Sequence, residues 1–468
     1  MADGAQRLRD ELASALGADR VEWSDETLSE HAHDTWPLSL LRINQQRLTN
    51  RPACVVRPTS TEEVATVLRH ASQHRVPVVP YGGGSGVCGG VLPNAESIVV
   101  DLRRMDQILE LNETALQVRV QAGMYGHHFE EALQARGYSM GHWPQSVSLS
   151  TVGGWVATRA AGQYSTRYGS IEDMLLGLEA VMADGRIVRV KSTPRRAAGP
   201  DPRHLFLGAE GTAGIVTEAT FKVYPLPESR RLLCYAFPDF DSGLEAIRHI
   251  VRAGWRPPVT RLYDAMETGR HFGQWQQDDR CFLLLLTEGP ASLTAAEAEA
   301  CAAACAGHGG EPIGDAPVQH WLHERNNVPS LMSFFERGFV LDTIEVAVEW
   351  DRIHALYSEV VAAMKTVKNL IVISGHTSHS YAQGTNIYFT FVAKPDDPAE
   401  AEPTYLECWK QAMQATLKVG GTIAHHHGIG RLRRDWMAAE HGSALEVMQA
   451  VKRALDPDGI MNPGVLLP

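Results

Sequence analysis

The sequence has no paired-cysteine spacing. Its seven cysteines, Cys54, Cys88, Cys234, Cys281, Cys301, Cys305 and Cys408, are odd in number and contain no CxxC. That excludes a disulfide framework and a thiolate zinc site, and it fits a reducing compartment. Long hydrophobic runs are missing as well. The longest strongly apolar run, CFLLLL at 281–286, is far too short to cross a bilayer. The opening MADGAQRLRDELASALG lacks the continuous apolar core of a signal peptide and reads as an amphipathic helix. Basic charge is not in excess: 43 Lys+Arg against 55 Asp+Glu give −12. Such a field disfavours phosphate backbones, so no nucleic-acid partner is expected. No internal repeat and no low-complexity tract interrupts the chain. The expected setting is cytoplasmic and soluble, with no transmembrane segment.

What is present describes a globular protein. The chain has 468 residues, 44% apolar and 21% charged, enough for two or three domains and for a core that needs no staples. Residues 1–45 read as a helical segment. Within 46–227, PACVVRP, VPVVPY and SIVVDL read as strands, and STEEVATVLRHASQHR as an amphipathic helix behind a Ser/Thr cap. LQVRVQAG and TAGIVTEATFKVYPLP are further strands. LLGLEAVMADGRIVRV reads as a hairpin turning at Asp184-Gly185. Residues 228–403 change character: strands such as LLCYAFPDF, RCFLLLLTEG, GFVLDTIEVAV and NIYFTFVAK alternate with Ala-rich helices. That pattern predicts an α+β substrate domain, an antiparallel sheet with helices on one face. Residues 404–468 place two helices around a Gly/His segment and end in DPDGIMNPG.

The segment PVVPYGGGSGVCGG contains GxGxxG at Gly84, Gly86 and Gly89, with Asp101 further on. In a Rossmann fold that fingerprint opens a helix whose N-terminus meets a pyrophosphate. Here it runs into VLPNAESIVVDL, a proline followed by a strand, so no helix is expected. Glycine-dense backbone between two strands can still bind a diphosphate, because successive bare N–H groups form a concave anion site. Two further small-residue stretches follow, PQSVSLSTVGGWVATRAAGQYSTRYGSIED and HLFLGAEGTAGIVTEATF. Three such stretches in one region point to an extended cofactor.

In this order and spacing, PxxPxGGGSGVxGG, STVGGW, the LGAEGTxGIVTEATFKVYPLP run and the terminal DPxxIMNPG resemble the FAD-linked oxidases of the vanillyl-alcohol oxidase/p-cresol methylhydroxylase superfamily. The resemblance covers about half of the chain. It implies a two-subdomain FAD-binding domain with an antiparallel-sheet cap domain. It implies that Gly82, Gly83, Gly84, Ser85, Gly86 and Val87 cradle the FAD diphosphate. Pro144, Ser150, Thr151, Gly153, Gly154, Thr158 and Gly162 would line the flavin and ribityl chain, and Glu210, Gly214, Ile215 and Val216 would close the site. Within the superfamily, SLSTVGGWVATRAAG, VTRLYD, NIYFTF and HHHGIGRLRRDW are most similar to alkyl-dihydroxyacetone-phosphate synthases and their bacterial homologues. That likeness implies an active site of Tyr388, the triplet His425, His426 and His427, Arg261, and Arg325 as a second arginine. His376 stands where the eukaryotic synthases carry arginine.

Flavin N5 accepts a hydride, so the protein must supply a base and orientation. His376, His379, Tyr381, Tyr388 and His425–His427 are the candidate bases. Arg261 and Arg325 are candidates for holding an anionic substrate, and the run Arg431, Arg433, Arg434 is a further basic cluster. His376 and His379, with His425 or His427, also make a three-imidazole pattern. The HxxH is expected on a turn with no carboxylate at a ligand offset, so the expectation is no metal. Cys88 is expected to be a small buried residue beside noncovalent FAD. Two reactions follow: oxidation of a hydroxy acid or related alcohol, with electrons passed to an acceptor the sequence does not specify, or alkyl transfer without net redox. The expected partner is a small anionic substrate, and the chain is compatible with a homodimer.

Overall fold

The computed structural model describes residues 2–468. Four short strands, β1 (Val21–Glu22), β2 (Cys54–Val56), β3 (Val78–Tyr81) and β4 (Ile98–Asp101), form a sheet in the order β1-β2-β4-β3. β4 runs parallel to both β2 and β3. The helix Thr61–His74 carries the chain from β2 past β4 to β3, and the glycine-rich segment carries it from β3 to its parallel neighbour β4. Ser60 starts that helix by accepting the Glu63 amide proton on its Oγ. Apolar side chains cover both faces of β2 and β4, which is why CVV and IVVD read as unbroken apolar runs.

A second sheet holds β5 (Ile108–Asn112), β6 (Gln117–Gln121), β8 (Leu175–Val181), β9 (Ile187–Val190) and β10 (Ile215–Lys222), all antiparallel, in the order β5-β6-β10-β8-β9. The strands β7 (Tyr138–Ser139) and β11 (Tyr224–Pro225) pair as a small ribbon. The β8–β9 hairpin turns where the sequence places it, with Gly185 at φ +80°.

The third sheet is the largest. It comprises β12 (Ser229–Phe237), β13 (Val259–Tyr263), β14 (Cys281–Gly289), β15 (Glu311–Gly314), β16 (Val340–Glu349), β17 (Leu370–Thr377) and β18 (Gly384–Ala393). All pairs are antiparallel, in the order β15-β12-β14-β13-β17-β18-β16. One face presents Phe237, Leu283, Leu285, Ile344, Ile387, Phe389 and Phe391 to the helices Phe240–Arg252, Ala291–Gly307, Ile353–Met364 and Ala401–Lys418. Each such side chain stabilises the packed state by roughly 1.5–3 kcal/mol when fully buried. The opposite face is polar along β16, β18 and β17. Only its β12–β14 end is closed by apolar packing, with Val318 and Trp321 of the helix Ala316–Glu324. The molecule is thus an α+β protein, and the second face of its large antiparallel sheet carries the helices Ala265–Phe272 and Ala316–Glu324.

The C-terminal residues return to the first sheet. Val78 donates to the Ile460 carbonyl and accepts from the Asn462 amide, both at 2.8 Å. Asp456 holds this turn by accepting the Ile460 and Met461 amides. Among the described residues no helix is long and apolar enough to cross a membrane.

Candidate active site

The glycine loop leaves β3 and reaches β4 without forming a helix. Its carbonyls are used: Gly84 O accepts the Thr35 amide and Gly86 O the Thr35 hydroxyl, both at 3.0 Å. Its amides are not. Among the described residues, the N–H groups of Gly82, Gly83, Gly84, Ser85, Gly86 and Val87 donate to no atom of the chain. These residues stay at least partly exposed. Two glycines are obligatory here. Gly84 sits at φ +64°, and a Cβ on Gly83 would lie 1.8 Å from the Leu149 carbonyl oxygen. A bare strip of unpaired amides is the chemistry a diphosphate requires. The residues present therefore fit FAD.

The second stretch lies beside this loop. Gly82 faces the buried Thr151 hydroxyl, which has no hydrogen-bond partner. Val152–Thr158 forms a short helix that sequence reading did not separate from loop. Gly153 brings this helix against β6: its amide donates to Ala122 O at 2.7 Å. A Cβ on Gly162 would meet the Trp143 amide at 2.5 Å, whereas Gly154 has open space beyond Thr151. The hydroxyls of Ser150 and Thr158 are spent inside the chain, on Ser146 O and Gly154 O. Pro144 accepts the Val147 amide and so turns the segment.

In the third stretch the roles are mostly internal. Gly214, at φ +155°, packs on Val181 O. Ile215 and Val216 pair with Val181 and Ala180 in the antiparallel ladder. Glu210 is buried, and its carboxylate accepts the amides of Ile429 and Gly430 at 2.7 and 2.9 Å. Burial pushes this carboxyl up to about 7 against those two hydrogen bonds. Asn462 donates to both Gly90 O and Glu210 O, and Cys88 O accepts the amides of Arg431 and Leu432. The glycine loop, the Glu210 turn, the His-triplet loop and the C-terminal motif are therefore stitched at one point. Cys88 is buried, as its sequence context implies.

The chemistry-bearing residues converge on the polar face of the large sheet. Tyr263 on β13 pairs with His376 on β17, His376 with Tyr388 on β18, and Tyr388 with Glu345 on β16. Directly paired residues share a face, so these four side chains form one rung across four strands. The ring centroids of Tyr263 and His376 are 5.1 Å apart, and those of His376 and Tyr388 4.7 Å. The HxxH is thus not a turn: His376 lies within β17 and only His379 beyond its end. The apolar LIVIS leading into it extends the strand further than the glycine suggests.

His376 is committed on both sides. Its Nδ1–H donates to Glu267 Oε2 at 2.8 Å, and its Nε2 accepts from Arg261 Nη2 at 2.9 Å. Burial pushes this imidazole down, so it is neutral. Burial opposes ionisation of Glu267, but His376 and Arg270 hold its carboxyl well below the usual range. Arg261 also donates to the Tyr263 hydroxyl, and its guanidinium lies 5.4 Å from the Trp321 ring. Arg325 lies 5.7 Å from the same ring and packs over Trp143 and Tyr164. Neither arginine pairs with a carboxylate within 4.0 Å among the described residues. By contrast, Arg431, Arg433 and Arg434 donate to backbone carbonyls of Pro463, Gly428 and Gly464, which makes that run a structural clamp.

The His triplet wraps around Glu345, a residue sequence reading passed over. Glu345 is fully buried. Its Oε1 lies 2.5 Å from His426 Nδ1 and 3.0 Å from His425 Nδ1, and its Oε2 accepts the His426 amide. Burial opposes the charge, yet His426 and His425 hold this carboxyl well below the usual range. The Tyr381 hydroxyl lies 2.7 Å from His425 Nε2, and Ser165 Oγ lies 2.6 Å from His379 Nδ1. Burial takes His427 down to about 3. The Tyr388 hydroxyl is pushed up by burial. Among the described residues, His426 Nε2 makes no hydrogen bond, and His427 Nδ1 is buried without one. The signal for Glu345 was in the sequence: an acid set between the alternating apolar residues Ile344, Val346 and Val348.

A strip of unpaired amides that fits a diphosphate and a polar His/Tyr/Arg face together suit a flavin-dependent enzyme, and the chain belongs to the FAD-linked oxidases. Residues 52–191 match the FAD binding domain and residues 226–466 the C-terminal domain of FAD linked oxidases. An uncharacterized FAD-linked oxidoreductase of Escherichia coli K12, YgcU, is 36% identical over 98% of both chains. The alkyldihydroxyacetonephosphate synthase of Trypanosoma brucei brucei is 30% identical over 98% of this chain and 80% of its own. A solved alkyldihydroxyacetonephosphate synthase structure superposes with a TM-score of 0.84 at 26% identity, covering 98% of this chain and 84% of that one. FAD is the cofactor.

Proposed function

We propose that this enzyme oxidises a hydroxy acid or related anionic alcohol, with Arg261 and Arg325 binding the anion and His426 taking the hydroxyl proton. Bound FAD supplies the hydride acceptor. The observation that carries the reading is the Glu345–His426 pair. The buried Glu345 carboxylate accepts the His426 amide and lies 2.5 Å from its Nδ1, close enough to stabilise a protonated imidazole, while Nε2 makes no hydrogen bond among the described residues. His425 shares Glu345 but has its Nε2 engaged by Tyr381. His376 is a positioning residue: it fixes the Arg261 guanidinium and has no nitrogen left to accept a proton. Arg261 and Arg325 share the Trp321 ring without an acid partner, which suits a carboxylate or phosphate. The Tyr388 hydroxyl, protonated at neutral pH, donates toward the substrate oxygen. FAD is held noncovalently: Cys88, the thiol nearest the amide strip, is buried with its proton held on.

A second reading is alkyl transfer without net redox, favoured by the likeness to the alkyldihydroxyacetonephosphate synthases. One experiment separates the two. The purified protein is mixed anaerobically with a panel of 2-hydroxy acids, and the visible flavin band is followed. Stoichiometric bleaching supports oxidation. Absence of bleaching, with exchange of a labelled fatty alcohol into acyl-dihydroxyacetone phosphate, supports transfer and overturns the first reading.

A further inference from the structure

Far from the imidazoles of the active site, a second cluster sits where the N-terminal helix Ala2–Leu16 packs on the helix Thr61–His74. His70 and His74 are four residues apart and so project from one face of their helix. Glu11 of the other helix meets them there. One donor atom from each of the three residues lies within 4.8 Å of the other two. Glu11 Oε2 is 3.2 Å from His74 Nε2. The other oxygen, Oε1, accepts from Arg7 Nε at 2.9 Å, which fixes the carboxylate and leaves Oε2 facing the imidazoles. An ion pair accounts for His74 and Glu11 alone. It does not account for His70, whose Nδ1 is buried with no hydrogen-bond partner. The cluster borders a cleft that Asp10 and Ser14 also line.

We infer that Glu11, His70 and His74 form a binding site for a divalent transition-metal ion of the zinc class, clasping the N-terminal helix to the first sheet's crossover helix. Two imidazoles and one carboxylate are a complete protein ligand set for such an ion, with water filling the remaining position. The pair of histidines at i and i+4 presents its nitrogens from a rigid helix, so little ordering is needed on binding. The consequence is mechanical. The described part of the N-terminal helix buries only Leu8 and Leu12 in the core and is tied to Ala53 O by Arg9. A metal adds a cross-link at its middle, and binding to the native state alone raises stability by mass action.

The test uses the FAD-loaded full chain, with the flavin spectrum as the control for folding. Zn2+ is titrated against a competing chromophoric chelator, and amide hydrogen exchange of residues 6–16 is followed with and without the ion. His379, His425 and His426 in the active site also have ligand spacing, so the readout is the difference between wild type and variants. The H70A/H74A double variant is expected to bind one Zn2+ per chain fewer than wild type. E11Q, which loses a direct ligand, is expected to weaken that ion by more than the roughly tenfold typical of an outer-shell change. Zinc is expected to slow exchange in residues 6–16 of wild type and not of H74A, an exposed change that leaves the helix core intact. Equal zinc stoichiometry in wild type and double variant overturns the inference. So does zinc that binds without slowing exchange in that helix.

Discussion

At the residue scale, the site depends on which nitrogen each imidazole leaves free. Five histidines, His376, His379, His425, His426 and His427, are clustered at the site, and geometry separates the first four. His376 serves Arg261 and Glu267, His379 meets Ser165, and His425 meets Tyr381. His426 has the buried Glu345 carboxylate 2.5 Å from its Nδ1, an atom it also sets 3.0 Å from His425 Nδ1, and makes no hydrogen bond at Nε2 among the described residues. Replacing Glu345 by Gln is expected to lower the rate of flavin reduction by about 10²-fold, within the range of general-base contributions, while FAD stays bound. Rapid-mixing absorbance measures both. Arg261→Ala is expected to raise KM for the anionic substrate by at least tenfold, the size of one charge-assisted hydrogen bond, with a smaller effect on kcat. Glu210 gives a pH prediction. Its folded-state value, near 7, lies above the ordinary carboxylate value of about 4.3. Its contribution to stability is therefore complete below about pH 4.3 and lost as pH rises through 7. Thermal melts of wild type and E210Q should converge in slope outside that window and differ inside it, with wild type losing relative stability as pH increases.

At the element scale, the strands were easier to read than the way they are joined. Alternation in GFVLDTIEVAV and NIYFTFVAK shows two half-buried strands, and Asp184-Gly185 marks its hairpin. Neither periodicity nor composition gives register. Only pairing shows that Tyr263, His376, Tyr388 and Glu345 are neighbours on one rung, because they come from strands separated by up to about a hundred residues of intervening chain. The helix Val152–Thr158 was obscured by its two glycines, which weaken helical propensity yet allow it to touch Ala122. The glycine loop was fully legible, since a proline and a strand after it excluded the helix of a Rossmann turn. Here a backbone change is the sharpest probe. Gly83→Ala forces a methyl group onto the Leu149 carbonyl, so the loop must move and the amide strip with it. The expected outcome is a colourless protein on purification with its secondary structure retained, checked by the visible spectrum and circular dichroism.

At the scale of the whole molecule, distant segments are tied together around the cofactor cleft. Asn462, six residues from the C-terminus, bridges the carbonyls of Gly90 and Glu210, and Glu210 grips the loop that carries the His triplet. The terminal DPDGIMNPG motif thus acts as a clasp, which its sequence signals only as a turn. Asn462→Ala leaves two carbonyls without their donor and is expected to lower both FAD retention and the melting temperature. Asp34, which accepts the Gly90 and Val91 amides, is buried beside the clasp, so the clasp is embedded in the structure. The most direct test is anaerobic rapid mixing of the FAD-loaded protein with the hydroxy acid that bleaches it, compared with His426→Gln. The account predicts an unchanged oxidised flavin spectrum and a reduction rate lower by about 10²-fold or more. Reduction of the variant at the wild-type rate would contradict it.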